Sequence, residues 1–591
     1  MLTILLSWCF ITPLLFAYGK AASDLLLPAH KPVGAELYCL FGFPVLAGIC
    51  LWLSVFVPLN GFTLFGISAS GFIYLFAIRQ SAAKLLRHFF AFTTSSLPVL
   101  FFFLASVAAA LMKGAAFSSH FDMGAYYIQF MKWAEEYSVV PGLGNLHGRL
   151  AFNSSWHLLN AQFSFAQYTT FAYDDLTELL FVLFLSHLLR AVTDKTTSPF
   201  EKIICSLFIG SAVWVGIREL SVPTADLVCV IYIWLSIKLL TQNLFSSSEE
   251  MPGKAGLINT MFPLMAAFML SVKISSLFML PGIAWCLFSL WKSGSRGVAV
   301  KSGLACLVLI LPWFIRNYIQ AGWIIYPFHA LDFFNPDWKI PRKQVLFEEL
   351  MVESFAKIGL VHKSPFTLEQ AKHITLNQWL PFWYSHLKPS YLFILWQSII
   401  ALILLPVAFV KYSRNPLRQK SAENGLPIVL FLLLSGICFW FFKAPSFRFG
   451  YGYLMALQCL VIALLLHDNL STGTFSNYPF KVLLIIFGCL TIFLGRDMRS
   501  IRTNWFHPPE YIKVKTGEIP MAYSPLYYPV ESWDSGKIIP CSEASEACVQ
   551  CWGARLPCIE WQNKHLEMRS KSLQDGFRFK EGVYYNMYGL E

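Results

Sequence analysis

The sequence consists mainly of apolar stretches that are each long enough to cross a lipid bilayer as a helix. A crossing helix needs roughly 20 apolar residues, and by that criterion about 13–14 stretches qualify, the first near 1–19 and the last at 479–495. Only 13% of the 591 residues are charged and mean hydropathy is +0.54, whereas about a quarter of an average soluble chain is charged. We therefore predict an all-α polytopic membrane protein whose main partner is the lipid bilayer.

Clusters of lysine and arginine orient the predicted helices. The loops 79–87, 292–301 and 411–420 are basic, and basic loops are typical of the cytoplasmic side of a membrane. Alternation of the spans places all three on that side, so the long loops 113–174 and 319–388 are expected on the extracytoplasmic face. The basic loops also account for the net charge of +11. Since no nucleic-acid motif is present, no nucleic-acid partner is expected, and the predicted location is the plasma (inner) membrane with multiple passes.

The predicted organisation has three parts. N-terminal helices occupy 1–92, a larger transmembrane module with both long loops occupies 93–495, and a tail occupies 496–591. The tail is rich in Tyr, Trp and Pro and mixed in polarity. This composition predicts a small extracytoplasmic domain of mixed, mostly irregular structure.

Four cysteines are clustered in this tail. Cys541, Cys548, Cys551 and Cys558 are separated by six, two and six residues. The central Cys-x-x-Cys would suit a zinc site, whereas an oxidising compartment favours disulfides. We predict two disulfides, and Cys541–Cys548 with Cys551–Cys558 is the first of the three pairings that four cysteines allow.

Ionisable residues are nearly absent from the centres of the apolar stretches and lie at their outer ends instead. Because a charge at mid-bilayer is costly, such residues commonly mark function. The set expected at the outer face comprises Asp122, Arg218, Asp226, Lys273, Arg316 and Arg448. Each also has a plainer interpretation, since Asp122 could cap the following helix and an arginine could reach lipid phosphates. Their convergence at one depth predicts a polar pocket.

Two weaker motifs lie in the first long loop. His120 and Asp122 could share a divalent metal, but no third ligand follows at a recognisable spacing. No cofactor is therefore predicted with certainty, and a divalent metal stays an open alternative. Asn153, Ser154 and Ser155 match the short N-glycosylation sequon.

Several motifs follow the outer ends of the predicted helices. They are DMGAYY and PGLGNLHGRLAFNSSWH in the first long loop, SVKISSLFMLPG (271–282), PWFIRNYIQAGWIIYPF (312–328) and FRFGYGYL (447–454). Over 93–467 these motifs resemble the GT-C superfamily of integral-membrane glycosyltransferases, and in particular an uncharacterised bacterial branch of polytopic membrane proteins. The tail motif CWGARLPC (551–558) is similar to an ending found in that branch.

The resemblance implies a GT-C-like helical fold and a polyprenyl-phosphate-linked sugar as donor. It implies an acidic catalytic residue, which maps onto Asp122 as general base. Less directly it implies a second acid, for which Asp226 fits by position and the pair Arg218-Glu219 is an equal candidate. The acceptor would be a saccharide, lipid or protein of the cell envelope. The substrate-binding residues expected on this basis are Lys273, Arg316, Arg448, Arg218, Tyr326 and His120.

Two other functions fit a membrane protein with these features. One is a transporter or flippase for a lipid-linked saccharide, and the other is a polymerase of surface polysaccharide. Transporters commonly have repeated halves and a site near the bilayer midplane, whereas this sequence has no internal repeat and its charges lie at helix ends. The glycosyltransferase is therefore the primary hypothesis.

Overall fold

The computed structural model describes most of the chain up to residue 470 and a short part of the tail. The described residues are 1–27, 32–115, 120, 122–168, 174–242, 244, 252–359, 373–414, 425–470, 556–557 and 566–579. The predicted span 479–495 and the four tail cysteines, Cys541, Cys548, Cys551 and Cys558, lie outside these residues.

The described chain is almost entirely helical, which confirms the all-α prediction. The helices before the first long loop are α1 Leu2–Leu26, α2 Ala35–Phe56, α3 Gly61–Ala77, α4 Arg79–Thr93 and α5 Leu97–Gly114. That loop contains a π-helical turn Met123–Tyr127, α6 Ile128–Glu136, α7 Leu143–Leu146, a 3-10 helix Gly148–Phe152 and α8 Ser155–Gln162.

The second half of the bundle follows the first long loop. Its helices are α9 Leu176–Thr193, α10 Pro199–Glu219, α11 Ala225–Thr241, α12 Pro252–Val272, a 3-10 helix Ile274–Met279, α13 Pro281–Lys292 and α14 Arg296–Ala321. The second long loop carries α15 Arg342–Ile358 and α16 Leu376–Ser385, and the last helices are α17 Pro389–Arg414, α18 Leu426–Lys443 and α19 Phe447–Leu470.

Ten helices in the described chain are long and apolar enough to cross a membrane, or eleven if the bent pair α3 and α4 counts as one span. The protein is therefore a multi-pass membrane protein. Helices α11 and α12 are not among these ten, because α11 has 17 residues and the apolar part of α12 is limited to Gly256–Val272. Every residue of α11 after Ala225 is buried, as expected for a helix that is apolar all round and sits inside the bundle.

The two long loops pack on each other at one end of the bundle, which we call the loop face. Gly142 donates its backbone N–H to Ile319 O at 2.8 Å, and Asn145 Nδ2 donates to Trp338 O at 2.8 Å. Both long loops contain helices of their own, among them α6 after the π turn in the first loop and α15 in the second.

A β-hairpin from the tail docks on the loop face. Strand β1 (Leu566–Met568) pairs antiparallel with β2 (Phe577–Phe579), with a short 3-10 helix Leu573–Asp575 between them. Phe577 N donates to Pro141 O at 3.0 Å, and Arg569 Nε donates to Asp337 Oδ2 at 2.8 Å. The hairpin therefore lies on the same end of the bundle as both long loops.

Candidate functional site

Four charged side chains from separate segments meet at the loop face. Asp122 immediately precedes the π-helical turn, and Asp226 lies in the first turn of α11. Lys273 lies between α12 and the following 3-10 helix, and Arg448 is the second residue of α19. The sequence predicted that these residues share one pocket, and the structure places them in one cluster.

Arg448 is the centre of this cluster. Its Nη1 lies 3.5 Å from Asp122 Oδ2, and its Nε lies 3.9 Å from Asp226 Oδ2. Asp226 also forms an ion pair with Lys273. These ion pairs join two carboxylates and two cations, and Arg448 links the two carboxylates.

The two carboxylates differ in environment. The side chain of Asp226 is only 6% exposed and pairs with both cations, whereas that of Asp122 is 21% exposed and pairs with Arg448. Thr224, and not the Asp226 carboxylate, caps α11 by accepting a hydrogen bond from Asp226 N at 3.1 Å. Asp226 is therefore held by cations in a buried position, while Asp122 is the more accessible acid.

The capping interpretation of Asp122 is wrong. Its backbone is already helical, with φ −60° and ψ −22°, and its side chain makes no capping hydrogen bond. The following turn, Met123–Tyr127, is π-helical, and such widened turns are frequent at functional sites. The carboxylate is therefore available for contacts with other segments, and Arg448 supplies one of them.

His120 completes the polar side of the cluster. Its Nδ1 accepts a hydrogen bond from Asp122 N at 3.2 Å, and its Nε2 lies 3.2 Å from Arg448 Nη1. Burial lowers the pKa of His120, and the nearby Arg448 acts in the same direction, while Asp122 opposes them. A neutral imidazole next to Arg448 follows from this environment at neutral pH.

Below the charges, a narrow pocket extends between α11, the 3-10 helix Ile274–Met279 and α19. Its polar end is formed by Asp226, Arg448, Ser275 and Ser276, and its apolar lining comprises Cys229, Val230, Ile233, Phe449, Gly452 and Tyr453. Its volume is about 10 Å³, which holds a single water molecule. A larger ligand therefore requires the side chains of the cluster to separate.

Phe449 and Tyr453 are site residues that the charge-based prediction missed. The Lys273 ammonium lies 3.7 Å from the centre of the Phe449 ring, a cation–π contact, and Tyr453 Oη donates to Ser275 O at 3.2 Å. Both lie within FRFGYGYL, and Ser275 lies within SVKISSLFMLPG. The sequence motifs therefore include these site residues, although no single residue type identified them as part of the site.

Three of the residues predicted to bind substrate make no hydrogen bond or ion pair with the four cluster residues in the described part of the chain. Arg316 is 3% exposed and donates to Asn153 Oδ1 at 2.9 Å and to Ser54 O at 3.1 Å. Arg218 is exposed at the end of α10, where its guanidinium stacks on Trp214. These contacts give Arg316 a structural role in the loop face and leave Arg218 at the surface.

Tyr326, the third of these residues, belongs to a second polar group. Arg149 Nε lies 3.2 Å from Glu348 Oε2, and an alanine Cβ at Gly148 would lie within 3.0 Å of both Glu348 Oε1 and Tyr326 Oη. Burial raises the pKa of Glu348. This group lies at the contact between the two long loops, so Tyr326 is placed at their interface and not in the charged cluster.

Asn153 is buried and does not present a glycosylation site. It is fully excluded from solvent, its φ of 46° is left-handed, and its Nδ2 donates to Trp313 O at 3.0 Å and Asn317 Oδ1 at 3.1 Å. The match to the sequon is therefore coincidental.

The residues around His120 and Asp122 do not fit a divalent metal. No group of three or more His, Cys, Asp or Glu side chains suited to a metal occurs in the described parts of the chain. The nearest charged neighbours of the two carboxylates are Arg448 and Lys273, which would repel a metal cation. The donor set thus suits an anion brought to the two cations.

The fold and the site together define the class of this protein. It is a polytopic membrane protein in which carboxylates and cations form a cluster at the ends of apolar helices, beside structured loops. The chain belongs to the family described as Domain of unknown function (DUF8201), which matches residues 1–455. The match includes Asp122, Asp226, Lys273 and Arg448 as well as the N-terminal helices. Comparison with curated proteins and with solved structures finds no match.

Proposed function

We propose that this protein is an inverting membrane glycosyltransferase of the GT-C type. It would move a sugar from a polyprenyl-phosphate donor to an acceptor hydroxyl, at the extracytoplasmic face of the plasma membrane. The observation that carries the proposal is the contact of Asp122 with Arg448, because it joins a partly exposed carboxylate to a cation that can bind phosphate.

In this reaction the acceptor oxygen attacks the anomeric carbon of the donor sugar while the bond from that carbon to the phosphate oxygen breaks. The acceptor proton passes to a carboxylate, and the leaving phosphate keeps the electron pair of the broken bond. Asp122 is assigned as the base because its carboxylate is more exposed than that of Asp226. Asp226 is assigned as a positioning residue that holds Lys273 and Arg448 in place.

Phosphate binding and base activation are coupled in this arrangement. Arg448 can bind a phosphate with paired donors and Lys273 can bind it as a point charge. When Arg448 turns to the phosphate, its contact with Asp122 weakens, and the Asp122 carboxylate is free to face the acceptor hydroxyl. The donor phosphate would thereby release the base for the acceptor hydroxyl.

The lipid part of the donor would enter from the bilayer between the helices that form the pocket. The pocket is lined both by Arg448 and Asp226 and by apolar side chains. This combination of charged and apolar lining suits a lipid whose phosphate lies at the interface and whose first isoprene units lie in hydrocarbon.

The test is transfer of radiolabelled hexose from polyprenyl-phosphate hexoses by the full chain in vesicles, for the wild type and for Asp122→Asn. Asparagine has nearly the same shape but cannot act as a base. We expect transfer to fall by about 10²–10⁴-fold while donor binding persists. An unchanged rate contradicts Asp122 as base, and lipid translocation without transfer by the wild type supports the flippase instead.

A further inference from the structure

The segment between α3 and α5 is a helix and not the loop that the basic residues suggested. Helix α4, Arg79–Thr93, follows α3 after a bend of 89°. Helix α3 is apolar and runs beside α1, a candidate membrane span, because Tyr18 Oη donates to Ile67 O and Tyr74 Oη donates to Asp24 Oδ2. A helix at a right angle to α3 therefore runs along the bilayer surface. The bend therefore places α4 in the plane of the membrane interface.

Helix α4 has three edges with different character. Ala82, Leu85 and Phe92 are partly buried against the bundle. Next to this edge, the side chains of Leu86 and Phe90 are 51% and 57% exposed. The remaining edge is basic and exposed, and it carries Lys84, Arg87 and His88. Exposed apolar and basic edges side by side are typical of helices that lie at a lipid interface.

The cations of this segment have no carboxylate partners within the part of the chain that the structure describes. The sequence contains no Asp or Glu between Glu36 and Asp122. None of Arg79, Lys84 and Arg87 forms an ion pair with any of the residues that the structure describes, and Arg79 instead contacts Phe76 by its guanidinium. Three exposed cations beside an apolar edge form a surface that is complementary to an anionic lipid interface.

Helix α4 lies at the opposite end of the bundle from the charged cluster. Helix α3 begins at Gly61, whose backbone N–H is bonded to Gln167 in the first long loop. Helix α4 ends beside Arg190, in the last turn of α9, whose guanidinium lies 4.5 Å from the centre of the Phe92 ring. Helix α9 begins directly after the first long loop, so its last turn marks the far end.

We propose that α4 is a binding surface for anionic phospholipid, with Leu86 and Phe90 in the hydrocarbon and Lys84 and Arg87 on the headgroup phosphates. The proposal is independent of the glycosyltransferase assignment, because it concerns the other face of the bundle. A bilayer with anionic headgroups supplies hydrocarbon for the apolar edge of this helix and negative charge for its basic edge. Each cation near such a surface strengthens binding about fivefold.

The test is hydrogen–deuterium exchange of the 79–93 segment of the full chain. The chain is placed in nanodiscs of phosphatidylcholine alone or mixed with phosphatidylglycerol. We expect slower exchange in the wild type when phosphatidylglycerol is present, and a loss of this difference at raised ionic strength. In Lys84→Gln/Arg87→Gln the preference for the anionic lipid falls by on the order of 25-fold, from two losses of about fivefold.

The matched control is Lys292→Gln/Lys301→Gln, which removes two cations from the loop between α13 and α14 and leaves α4 intact. This variant should keep the slower exchange of the 79–93 segment in phosphatidylglycerol. Two results overturn the proposal: equal exchange of the wild-type segment in both lipids, or retention of the full lipid effect in Lys84→Gln/Arg87→Gln. Exchange over the remaining helices reports whether each variant is folded.

Discussion

The guanidinium of Arg448 lies 3.5 Å from the carboxylate of Asp122, although 326 positions separate the two residues in the chain. The same side chain faces Asp226 at 3.9 Å. Arg448 is thus the cation that the two carboxylates share, while Lys273 pairs with Asp226. Arg448 therefore decides both the charge balance of the cluster and its geometry.

Replacement of Arg448 should impair donor binding more than it impairs folding. Arg448→Gln removes the charge and the paired donors, and the loss of a charged hydrogen bond raises donor KM by on the order of 10–100-fold. Arg448→Lys keeps the charge but loses the planar, paired donors of the guanidinium, so it should give an intermediate donor KM. Steady-state transfer kinetics with varied donor measure both effects.

Arg218→Gln is the control for that series, because Arg218 is exposed, stacks on Trp214 and forms no ion pair with Asp122 or Asp226. It should leave donor KM unchanged. If Arg448→Gln and Arg218→Gln had the same donor KM, phosphate binding by Arg448 would be refuted.

Asn153 should prove to be a stability residue of the loop face. Its side chain accepts from Arg316 and donates to Trp313 O and Asn317 Oδ1, all in a fully buried position. Asn153→Ala leaves the buried Arg316 guanidinium without one of its acceptors, and we expect a loss of about 3 kcal/mol in unfolding free energy. Denaturant unfolding in detergent measures it.

Asn153→Gly separates the contribution of the side-chain hydrogen bonds from the cost of the left-handed backbone at this position. Glycine tolerates the left-handed φ of 46°, so it should avoid the roughly 1 kcal/mol that alanine loses there while still losing the hydrogen bonds. Equal stability of Asn153→Gly and wild type would show that the hydrogen bonds of Asn153 contribute nothing.

The charged cluster could be predicted from the sequence, but the role of each arginine could not. Asp122, Asp226, Lys273 and Arg448 lie at helix ends, and alternation of apolar spans brings helix ends to common faces. Arg316 occupies an equivalent sequence position at the end of an apolar stretch. Whether such an arginine faces a carboxylate or an asparagine and a backbone carbonyl depends on tertiary packing, which the local pattern does not contain.

The bend between helices and the docking of distant segments also could not be predicted from the sequence pattern. The bend between α3 and α4 falls between Ala77 and Arg79, where neither proline nor glycine marks a break. The docking of Phe577 beside Pro141 joins positions more than four hundred residues apart. Apolar periodicity predicts which residues form helices, whereas these features depend on surfaces that only the folded bundle creates.

The tail hairpin should detach when Phe577 is truncated. Phe577 is fully buried, its ring packs edge-on against Trp133 at 5.9 Å, and Asn145 Nδ2 donates to Phe577 O at 3.2 Å. Burying a phenylalanine contributes about 3–5 kcal/mol relative to alanine, which is large for a two-stranded hairpin. In Phe577→Ala we expect faster tryptic cleavage after Arg569 and Arg578, with the bundle helices unchanged.

Arg578→Gln is the matched change within the same strand. Arg578 is 43% exposed and its Nε bonds to Glu567 Oε1 at 2.6 Å, an exposed ion pair that contributes at most about 1 kcal/mol. The hairpin should stay docked in this variant, as judged by cleavage after Arg569. Rapid cleavage in Arg578→Gln but not in Phe577→Ala would mean that charge, and not apolar burial, holds the hairpin.

The buried histidines of the first long loop should make the protein less stable in acid. Burial lowers the pKa of His147 and of His157 to about 4. Between pH 6.5 and pH 4 the unfolded chain therefore binds more protons at these positions than the folded chain, and stability falls as pH falls through that window. At pH 5 each histidine should lose about 2 kcal/mol relative to neutral pH.

The measurement compares wild type with His147→Asn/His157→Gln in denaturant unfolding at neutral pH and at pH 5. Asn145 and other neighbours stay unchanged, and the new amides keep the bonds to Arg149 N and Pro223 O that the rings make. The double variant should lose about 4 kcal/mol less than the wild type on acidification. The comparison is needed because burial raises the pKa of Asp175 to about 7, so that its protonation stabilises the fold as pH falls and opposes the histidines. Identical pH dependence of the two proteins would contradict neutral, buried imidazoles at His147 and His157.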